Sequence, residues 1–426
     1  MPRRNFPSEH VNTLIPTIQG VRHGFRPLVA GLVMACAALA ASAQTHGDHS
    51  GHGGQAGQAK AKTSELGTGA AFDRDGKLWI AYKDGPHVAV RSSRDYGRSF
   101  SEARHVNATP EPVAADHESR PKVATGRDGE IYITWTQPLP KPWTGFIRFA
   151  RSTDGGQTFA EPLTVHANRD QIAHRFDALA VDPAGRVFVS WIDKRDVAAA
   201  EARRQPYAGA AIYYAVSADH GKTFRGDYKI ADQSCECCRI ALTPTPDGKM
   251  LALWRHVFPP DARDHALALL GADGKATPMQ RATFDDWRID ACPHHGPGAS
   301  VAPDGTVHMV WFSVRAGKPT VSVGRWRDGK LQAQRPLDDA RAQHADIVAL
   351  NDNDIAVVWK SFDGQQTRLS AMLSKDGGKT WQTRKLAGTG RDSDQPHLLQ
   401  HAGRAYVLWR TEAEGFQVFA LGEEGA

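Results

Sequence analysis

The stretch DGEIYITW (Asp128–Trp135) decides the fold, because its pattern recurs along the whole chain. A residue suited to a tight turn is followed six positions later by an aromatic residue, and the residues between them form a short apolar run typical of a buried strand. Further copies with the same spacing are Gly76/Tyr82, Gly185/Trp191, Gly248/Trp254, Gly305/Trp311, Asn353/Trp359 and Gly403/Trp409. The copies lie roughly 50 to 60 residues apart, and such a period indicates a repeat architecture.

Each repeat contains two short β-rich runs joined by a tight turn and then one or two further strands. A period of this length with about four strands is typical of a propeller blade. The sequence therefore predicts an all-β fold, a seven-bladed β-propeller over residues 65–426, with six blades as the alternative if one unit is accessory. The last unit has no outer strand of its own, and we expect the segment before Gly67 to supply that strand and close the ring.

A second motif, S-x-D-x-G-x-[ST]-[FW], occurs in register with the first. Its copies are SRDYGRSF (Ser93–Phe100), STDGGQTF (Ser152–Phe159), SADHGKTF (Ser217–Phe224) and SKDGGKTW (Ser374–Trp381). The aspartate can accept backbone N–H groups, the glycine tolerates positive φ, and the aromatic residue can fill the blade. The motif resembles the Asp boxes of the sialidase-like, or BNR-repeat, propellers. That resemblance implies that the boxes are structural and lie on the face away from the active site.

The resemblance also implies where a sialidase would hold its substrate. Sialidases of this family use three arginines for the substrate carboxylate, a tyrosine nucleophile beside a glutamate, and an aspartate acid. The first arginine usually lies in an R-I-P context, and the nearest match here is SRPKV, which contains Arg120. Candidate arginines are Arg120, Arg175, Arg239 and Arg255, and candidate carboxylates are Asp116, Glu118, Asp177 and Asp290, although surface and turn carboxylates are common. No tyrosine can be assigned as the nucleophile, so the sequence identifies no catalytic residue.

The first 43 residues resemble an export signal. A region with four arginines and one glutamate precedes the apolar run PLVAGLVMACAALAA and the cleavage-like ASAQ, so we predict cleavage after Ala43 and a periplasmic or secreted protein. The apolar run is too short for a membrane span. The alternative is a lipoprotein with a lipidated Cys36, although Met34 fits that motif poorly. The remaining chain has a net charge of about +2, which argues against a nucleic-acid or membrane partner.

Few cysteines follow the predicted signal. Three of them lie within QSCECCRI (Gln233–Ile240), and Cys292 lies in CPHH (Cys292–His295). Cys235 precedes Gly248 by the same thirteen positions as Cys292 precedes Gly305, so both loops lead into the first strand of a blade. We therefore expect CECC and CPHH to face each other at one mouth of the central channel. Equivalent loops add further polar residues to this mouth: His117, Arg120, His174, Arg175, Asp177, Arg239, Arg255, His344 and His397.

Three interpretations of the cysteines compete. An exported protein permits a disulfide between Cys292 and one of the other three. A thiol redox site is a second interpretation, but C-x-C-C differs from the C-x-x-C motif of thioredoxins. The third is a soft-metal site, in which thiolate and imidazole favour copper first and zinc less. Its predicted ligands are Cys235, Cys237, Cys238, Cys292, His294 and His295.

The segment 44–64, predicted to be a disordered tail, adds a second metal signal. His46, His49 and His52 recur at intervals of three, and cleavage after Ala43 would make His46 the third residue of the mature chain. An X-X-His terminus offers nitrogen ligands in the square plane that Cu(II) prefers, unless Gln44 cyclises to pyroglutamate. A soluble flexible leader is the alternative explanation.

These observations favour a non-enzymatic, metal-binding propeller that handles copper, with a metal ion and a periplasmic protein as partners. The alternatives are an exo-acting, sialidase-like glycoside hydrolase and a non-catalytic propeller that binds glycan or protein.

Overall fold

The computed structural model describes residues 65–116, 118–289, 291 and 293–422, which form seven antiparallel sheets and one short helix. The strands of the first four sheets are β1 (Thr68–Phe72), β2 (Leu78–Asp84), β3 (His87–Ser93), β4 (Arg104–His105), β5 (Lys122–Thr125), β6 (Ile131–Pro138), β7 (Gly145–Ser152), β8 (Leu163–Thr164), β9 (His174–Val181), β10 (Val187–Asp193), β11 (Ala210–Ser217), β12 (Arg225–Ser234), β13 (Ala241–Pro244), β14 (Met250–Arg255), β15 (His265–Leu270) and β16 (Gln280–Arg281). Those of the last three are β17 (Gly298–Val301), β18 (Val307–Arg315), β19 (Lys318–Arg327), β20 (Lys330–Pro336), β21 (Ala342–Ala349), β22 (Ile355–Phe362), β23 (Thr367–Ser374), β24 (Gln382–Thr389), β25 (His397–His401), β26 (Arg404–Thr411) and β27 (Gly415–Leu421). The helix α1 (Arg195–Ala202) lies between β10 and β11.

The seven sheets are the blades of a propeller. Within every sheet the strands pair in chain order, and the first strands of neighbouring sheets contact one another around a complete ring. The ring closes where β25 of the last sheet contacts β1 of the first. The predicted seven-bladed, all-β architecture is therefore confirmed, and the six-bladed alternative is wrong.

The seventh blade has three strands within the described residues, whereas each of the others has four. The outer strand predicted for it would come from the segment before Gly67, and residues 1–64 lie outside the described part of the chain. The predicted export signal, the lipidation alternative at Cys36, the tail and the ligands His46, His49 and His52 lie outside it as well. The helix α1, the one helix of the described residues, is not long and apolar enough to cross a membrane.

The recurring aromatic residues fill the space between blades. Trp135, Trp191, Trp254, Trp311 and Trp409 are among the largest fully buried side chains of the described structure. Their rings are apolar, but each indole N–H needs an acceptor when it is buried. Acceptors occur in four of the five cases, as for Trp135 Nε1, which donates to Glu111 Oε1 at 2.7 Å.

The Asp boxes form the turns between the third and fourth strands of four blades. In the second box, Asp154 Oδ1 accepts the backbone N–H groups of Gln157 and Thr158 at 2.9 and 3.0 Å. Gly156 has a φ of +80°, and its backbone packs against the ring of Trp79 in the preceding blade. The box therefore fixes a turn and joins two blades, which agrees with the structural role that the resemblance implies.

Antiparallel pairing places the loops of each blade on two opposite faces. One face carries the turns between the first and second strands and the Asp boxes. The other carries the loops that lead into each first strand, together with the loops between second and third strands, and we call it the mouth face. All of the predicted channel-mouth residues within the described chain lie in or next to loops of this second face.

Candidate functional site

The centre of the mouth face is held by an internal ionic network. Arg120 Nη1 lies 3.1 Å from Asp394 Oδ2, and Arg120 Nη2 donates to Gln395 Oε1 at 2.8 Å. Arg239 Nη2 donates to the Ala345 carbonyl oxygen at 2.6 Å, and Arg239 Nη1 lies 3.5 Å from Glu118 Oε2. These contacts join the lead-in loops of the second, fourth and seventh blades to β21 of the sixth blade. Arg120 and Arg239 therefore bind protein groups at the centre of the ring.

Glu118 is the buried anion of this network. Burial by itself would raise the pKa of Glu118, but the neighbouring Arg239 and His344 lower that pKa below its ordinary value. The side chain of Glu118 is inaccessible to solvent, and the Gly296 N–H lies 3.4 Å from its Oε1. Glu118 is thus an ionised group that stabilises the channel rather than an exposed acid.

The other predicted mouth residues divide into two groups. Asp177 is buried, accepts a 2.6 Å hydrogen bond from Thr134 and lies 3.4 Å from Lys122, while His174 is buried with its ring stacked on His166. His397 lies 3.1 Å from Asp346 and is partly exposed, and Arg175 is only half-buried. The predicted His117 and Asp290 lie outside the described residues. The described part of the chain therefore does not bring the predicted polar residues together in one open ring.

Cys235, Cys237 and Cys238 converge. The Cys235 sulfur lies 3.2 Å from the Cys238 sulfur and 3.8 Å from the Cys237 sulfur, and all three sulfurs lie within 4.8 Å of one another. The three residues are buried, and no disulfide joins any two of them. The thiols of Cys237 and Cys238, followed by the nearby Arg255, lower the pKa of Cys235, whereas burial raises the pKa of Cys238. The cluster thus favours a thiolate at Cys235.

The position of this cluster differs from the prediction. The three cysteines pack in the core between the third and fourth blades, with Phe176 and Ile212 on one side and Trp254 on the other. The expected place was the open mouth, but the loop curls inward and buries the sulfurs behind it.

The two predicted histidine ligands are not part of this cluster. No described histidine joins the three sulfurs as a potential ligand group. The His295 ring instead stacks against Phe312 and His344, with ring centroids at 4.2 and 4.3 Å. Arg255 likewise does not line an open mouth, because it is buried and donates to the His295 and Phe312 carbonyl oxygens. Cys292 lies outside the described residues, so its predicted role stays untested.

The mouth face also carries a cleft of about 730 Å³ beside the channel. Its lining comes from the segment before β1, the end of β2 with the β2–β3 loop, the segment that leads into β5, the β6–β7 loop and the start of β9. It includes Glu65, Lys83, Pro86, Pro110, Glu111, Pro112, Asp116, Pro138, Leu139, Pro142, Trp143 and Arg175. Proline lacks an N–H and cannot donate to a strand ladder, so the segment that contains Pro110 and Pro112 forms no strand and lines the cleft instead. The Glu111 N–H donates to the Pro86 carbonyl at 2.9 Å, which joins this segment to the β2–β3 loop.

Trp143 is the most exposed large apolar residue of the described structure. It is 61% exposed and has a φ of +64°, in a loop closed by a hydrogen bond from the Leu139 N–H to the Thr144 carbonyl. The guanidinium carbon of Arg175 lies 5.7 Å from the centre of its ring. The sequence analysis identified Arg175 but missed Trp143. The available signal was a tryptophan in a proline-rich loop, outside the repeated strand positions.

Comparisons with known proteins identify the fold of this chain but not its function. No protein-family model matches the chain, and no curated protein matches it. Among solved structures, a polysaccharide lyase of the PL25 ulvan lyase family, bound to -[GlcA(1-4)Rha3S]-, has a TM-score of 0.54 at 10% identity and covers 85% of this chain and 93% of its own.

Two further structures are similar. The polysaccharide lyase Uly1 has a TM-score of 0.51 at 11% identity and covers 89% of this chain and 94% of its own. The NanB sialidase from Streptococcus pneumoniae has a TM-score of 0.45 at 9% identity and covers 79% of this chain and 81% of its own. At such identities the likeness to the two lyases shows the fold alone: this chain is a seven-bladed β-propeller similar in architecture to these polysaccharide lyases.

Proposed function

We propose that this propeller recognises an acidic glycan in the cleft on its mouth face. The observation that carries the proposal is the pair formed by the exposed Trp143 and the adjacent Arg175. An exposed indole offers a broad, rigid apolar surface on which the C–H face of a sugar ring can lie. A guanidinium binds a carboxylate or a sulfate with two parallel hydrogen bonds. Side by side, the two groups match a uronic acid or a sulfated sugar.

The shape of the cleft supports this proposal. Its volume of about 730 Å³ lies within the range typical of small-ligand sites, and it is open enough to admit part of a longer chain. The prolines that line it make its walls stiff, which lowers the entropy lost when a ligand binds. Lys83 at the rim is paired with Glu65 at 2.6 Å, so this pair adds no net charge and the proposal relies on Arg175 for the anionic group.

The fold offers independent but weaker support. One structure of similar fold is an ulvan lyase bound to a sulfated glycan that contains glucuronate. At this sequence identity a shared fold does not establish a shared substrate. The similarity agrees with an acidic glycan as ligand but does not identify one.

The same geometry does not favour a sialidase reaction. A sialidase would need arginines that can grip the substrate carboxylate, whereas Arg120 and Arg239 bind Asp394, Gln395, Glu118 and Ala345 inside the protein. We therefore propose recognition of a glycan, and we assign no catalytic residue.

Isothermal titration calorimetry with uronate-containing, sulfated and neutral oligosaccharides tests the proposal. We expect binding of the acidic oligosaccharides, and at least a tenfold weaker affinity in Trp143→Ala and in Arg175→Ala, which corresponds to about 1.4 kcal/mol or more. Phe284→Ala is the matched control, because Phe284 is 56% exposed and lies 5.2 Å from Arg281 but does not line the cleft. Unchanged affinity in Trp143→Ala, or an equal loss in the control, would contradict the proposal.

The predicted role in metal handling is a second candidate, favoured by the convergence of Cys235, Cys237 and Cys238. The histidine tail that would act as a capture arm, and the protein partner that would receive the metal, stay predictions from sequence.

A further inference from the structure

The three clustered cysteines have the geometry of metal ligands. An ion bound by three sulfurs at about 2.3 Å in a trigonal plane separates those sulfurs by about 4 Å. The observed separations of 3.2 and 3.8 Å, with all three sulfurs within 4.8 Å, are close to that arrangement. Packing alone does not require three thiols to point at one another, because each could contact the surrounding apolar side chains instead.

The local backbone explains why three of the four residues in this stretch point inward. The Cys235 N–H donates to the Arg255 carbonyl at 3.0 Å, and the Val257 N–H donates to the Gln233 carbonyl at 2.8 Å, so the loop is fixed to the end of β14. Gln233 has a φ of +55° and turns the chain. Glu236 points the other way and forms an ion pair with Lys194 at the surface. The spacing C-x-C-C therefore places its one charged residue outside and its three sulfurs inside.

The electrostatic surroundings favour an anionic cluster. Arg255 is 1% exposed, and within the described residues its hydrogen bonds go to the backbone carbonyls of Arg263, His295 and Phe312. A buried guanidinium is costly unless an anion lies nearby. Three thiolates around a monovalent or divalent cation carry a net negative charge, which Arg255 offsets.

We propose that Cys235, Cys237 and Cys238 bind one Cu(I) ion through their three sulfur atoms. Thiolate sulfur is soft and selects Cu(I) among the biological metals. Structural Zn(II) prefers four ligands in a tetrahedron, whereas the three converging sulfurs approach the trigonal arrangement described above. Binding displaces the thiol protons and requires no oxidant or reductant once the copper is supplied as Cu(I). This site is separate from the cleft and does not depend on glycan binding.

The experiment titrates the purified full-length protein with Cu(I) under anaerobic conditions, in competition with a chromogenic Cu(I) chelator. X-ray absorption at the copper edge then identifies the bound atoms. We expect one tightly held Cu(I) bound by sulfur alone, and at least a hundredfold weaker binding in Cys235→Ser and in Cys238→Ser. Cys292→Ser is the matched control, and it should keep the tight site. Because the chelator competes with the weaker histidines of the tail, tail binding does not count toward the tight ion.

Three results would overturn the proposal. One is a disulfide between any two of the three cysteines in the protein as isolated. Another is a nitrogen ligand in the absorption spectrum, and a third is loss of the tight ion in Cys292→Ser. Circular dichroism of each metal-free variant must match that of the metal-free wild type, and Cys237→Ser serves as the replacement if Cys235→Ser does not fold.

Discussion

Two of the repeated tryptophans differ in the hydrogen bonding of a single buried polar atom. Trp135 and Trp254 occupy equivalent repeat positions and are both fully buried, but they differ at the indole nitrogen. Trp135 Nε1 donates to Glu111 Oε1, whereas Trp254 Nε1 has no acceptor within the described structure. The sequence repeat predicts both rings as core, but it cannot show which nitrogen finds an acceptor, because Glu111 comes from a segment outside the repeat.

We expect Trp135→Phe to lower the free energy of unfolding by about 1 kcal/mol more than Trp254→Phe does. Both substitutions remove a similar volume, so the difference measures the lost hydrogen bond. Urea denaturation of the two variants gives the comparison, and equal losses would show that the bond to Glu111 contributes nothing.

At the scale of the element, the Asp-box turns can be read directly from the sequence. Their serine, aspartate and glycine have local roles, and local hydrogen bonds need no knowledge of the rest of the chain. A comparison of Gly155 with Gly156 distinguishes the effect of the turn conformation from the effect of packing between blades. Both have positive φ, but a Cβ on Gly156 would lie 2.4 Å from the ring of Trp79, whereas a Cβ on Gly155 would meet nothing within 4 Å.

Gly155→Ala should therefore cost about 1 kcal/mol of stability, which is the strain of positive φ alone. We expect Gly156→Ala to cost a further 1 to 3 kcal/mol, because the neighbouring blade must move. Chemical denaturation monitored by tryptophan fluorescence measures both. If the two variants were equally stable, the box would be a local turn that does not hold blades together.

The cysteine loop is the element that the sequence predicted least well. Counting residues back from the turn glycine placed Cys235 in the correct loop, before the first strand of the fourth blade. Counting cannot show which way a loop curls, and the positive φ of Gln233 and the hydrogen bond from Cys235 to Arg255 decide that direction. His295 was misplaced for the same reason, since its ring packs against Phe312 and His344.

At the scale of the whole molecule, the arginines of the mouth face have two different roles. Arg120 joins the second blade to the seventh through Asp394, next to the contact of β1 with β25 that closes the ring. Arg175 belongs to the surface of the cleft. From the sequence, both arginines were predicted at the channel mouth, because both lie near the start of a blade's first strand. The folded structure shows that Arg120 lies inside the ring.

We expect Arg120→Ala to destabilise the protein by about 2 kcal/mol or more, because it removes the cation 3.1 Å from the buried Asp394 and leaves only the more distant charge of Lys360 nearby. Arg175→Ala should cost clearly less, about 1 kcal/mol, because Arg175 is only half-buried and its guanidinium lies over the rings of Trp143 and Phe176. Thermal and urea denaturation test both. The contrary result has two parts: Arg120→Ala is as stable as the wild type, and it has lost a hydrolysis of a fluorogenic sialoside that the wild type performs. That result would restore the sialidase interpretation.

The repeat in the sequence was sufficient for the architecture, because each blade depends on the same short pattern. The cleft was beyond that reasoning, since it forms from the loops between the repeats, where Trp143 and the prolines do not recur. A crystal structure of the protein with a bound uronate-containing oligosaccharide tests the central claim most directly. We predict a sugar ring stacked on Trp143 with its carboxylate on Arg175. An oligosaccharide bound elsewhere on the propeller, with the cleft empty, would contradict this account.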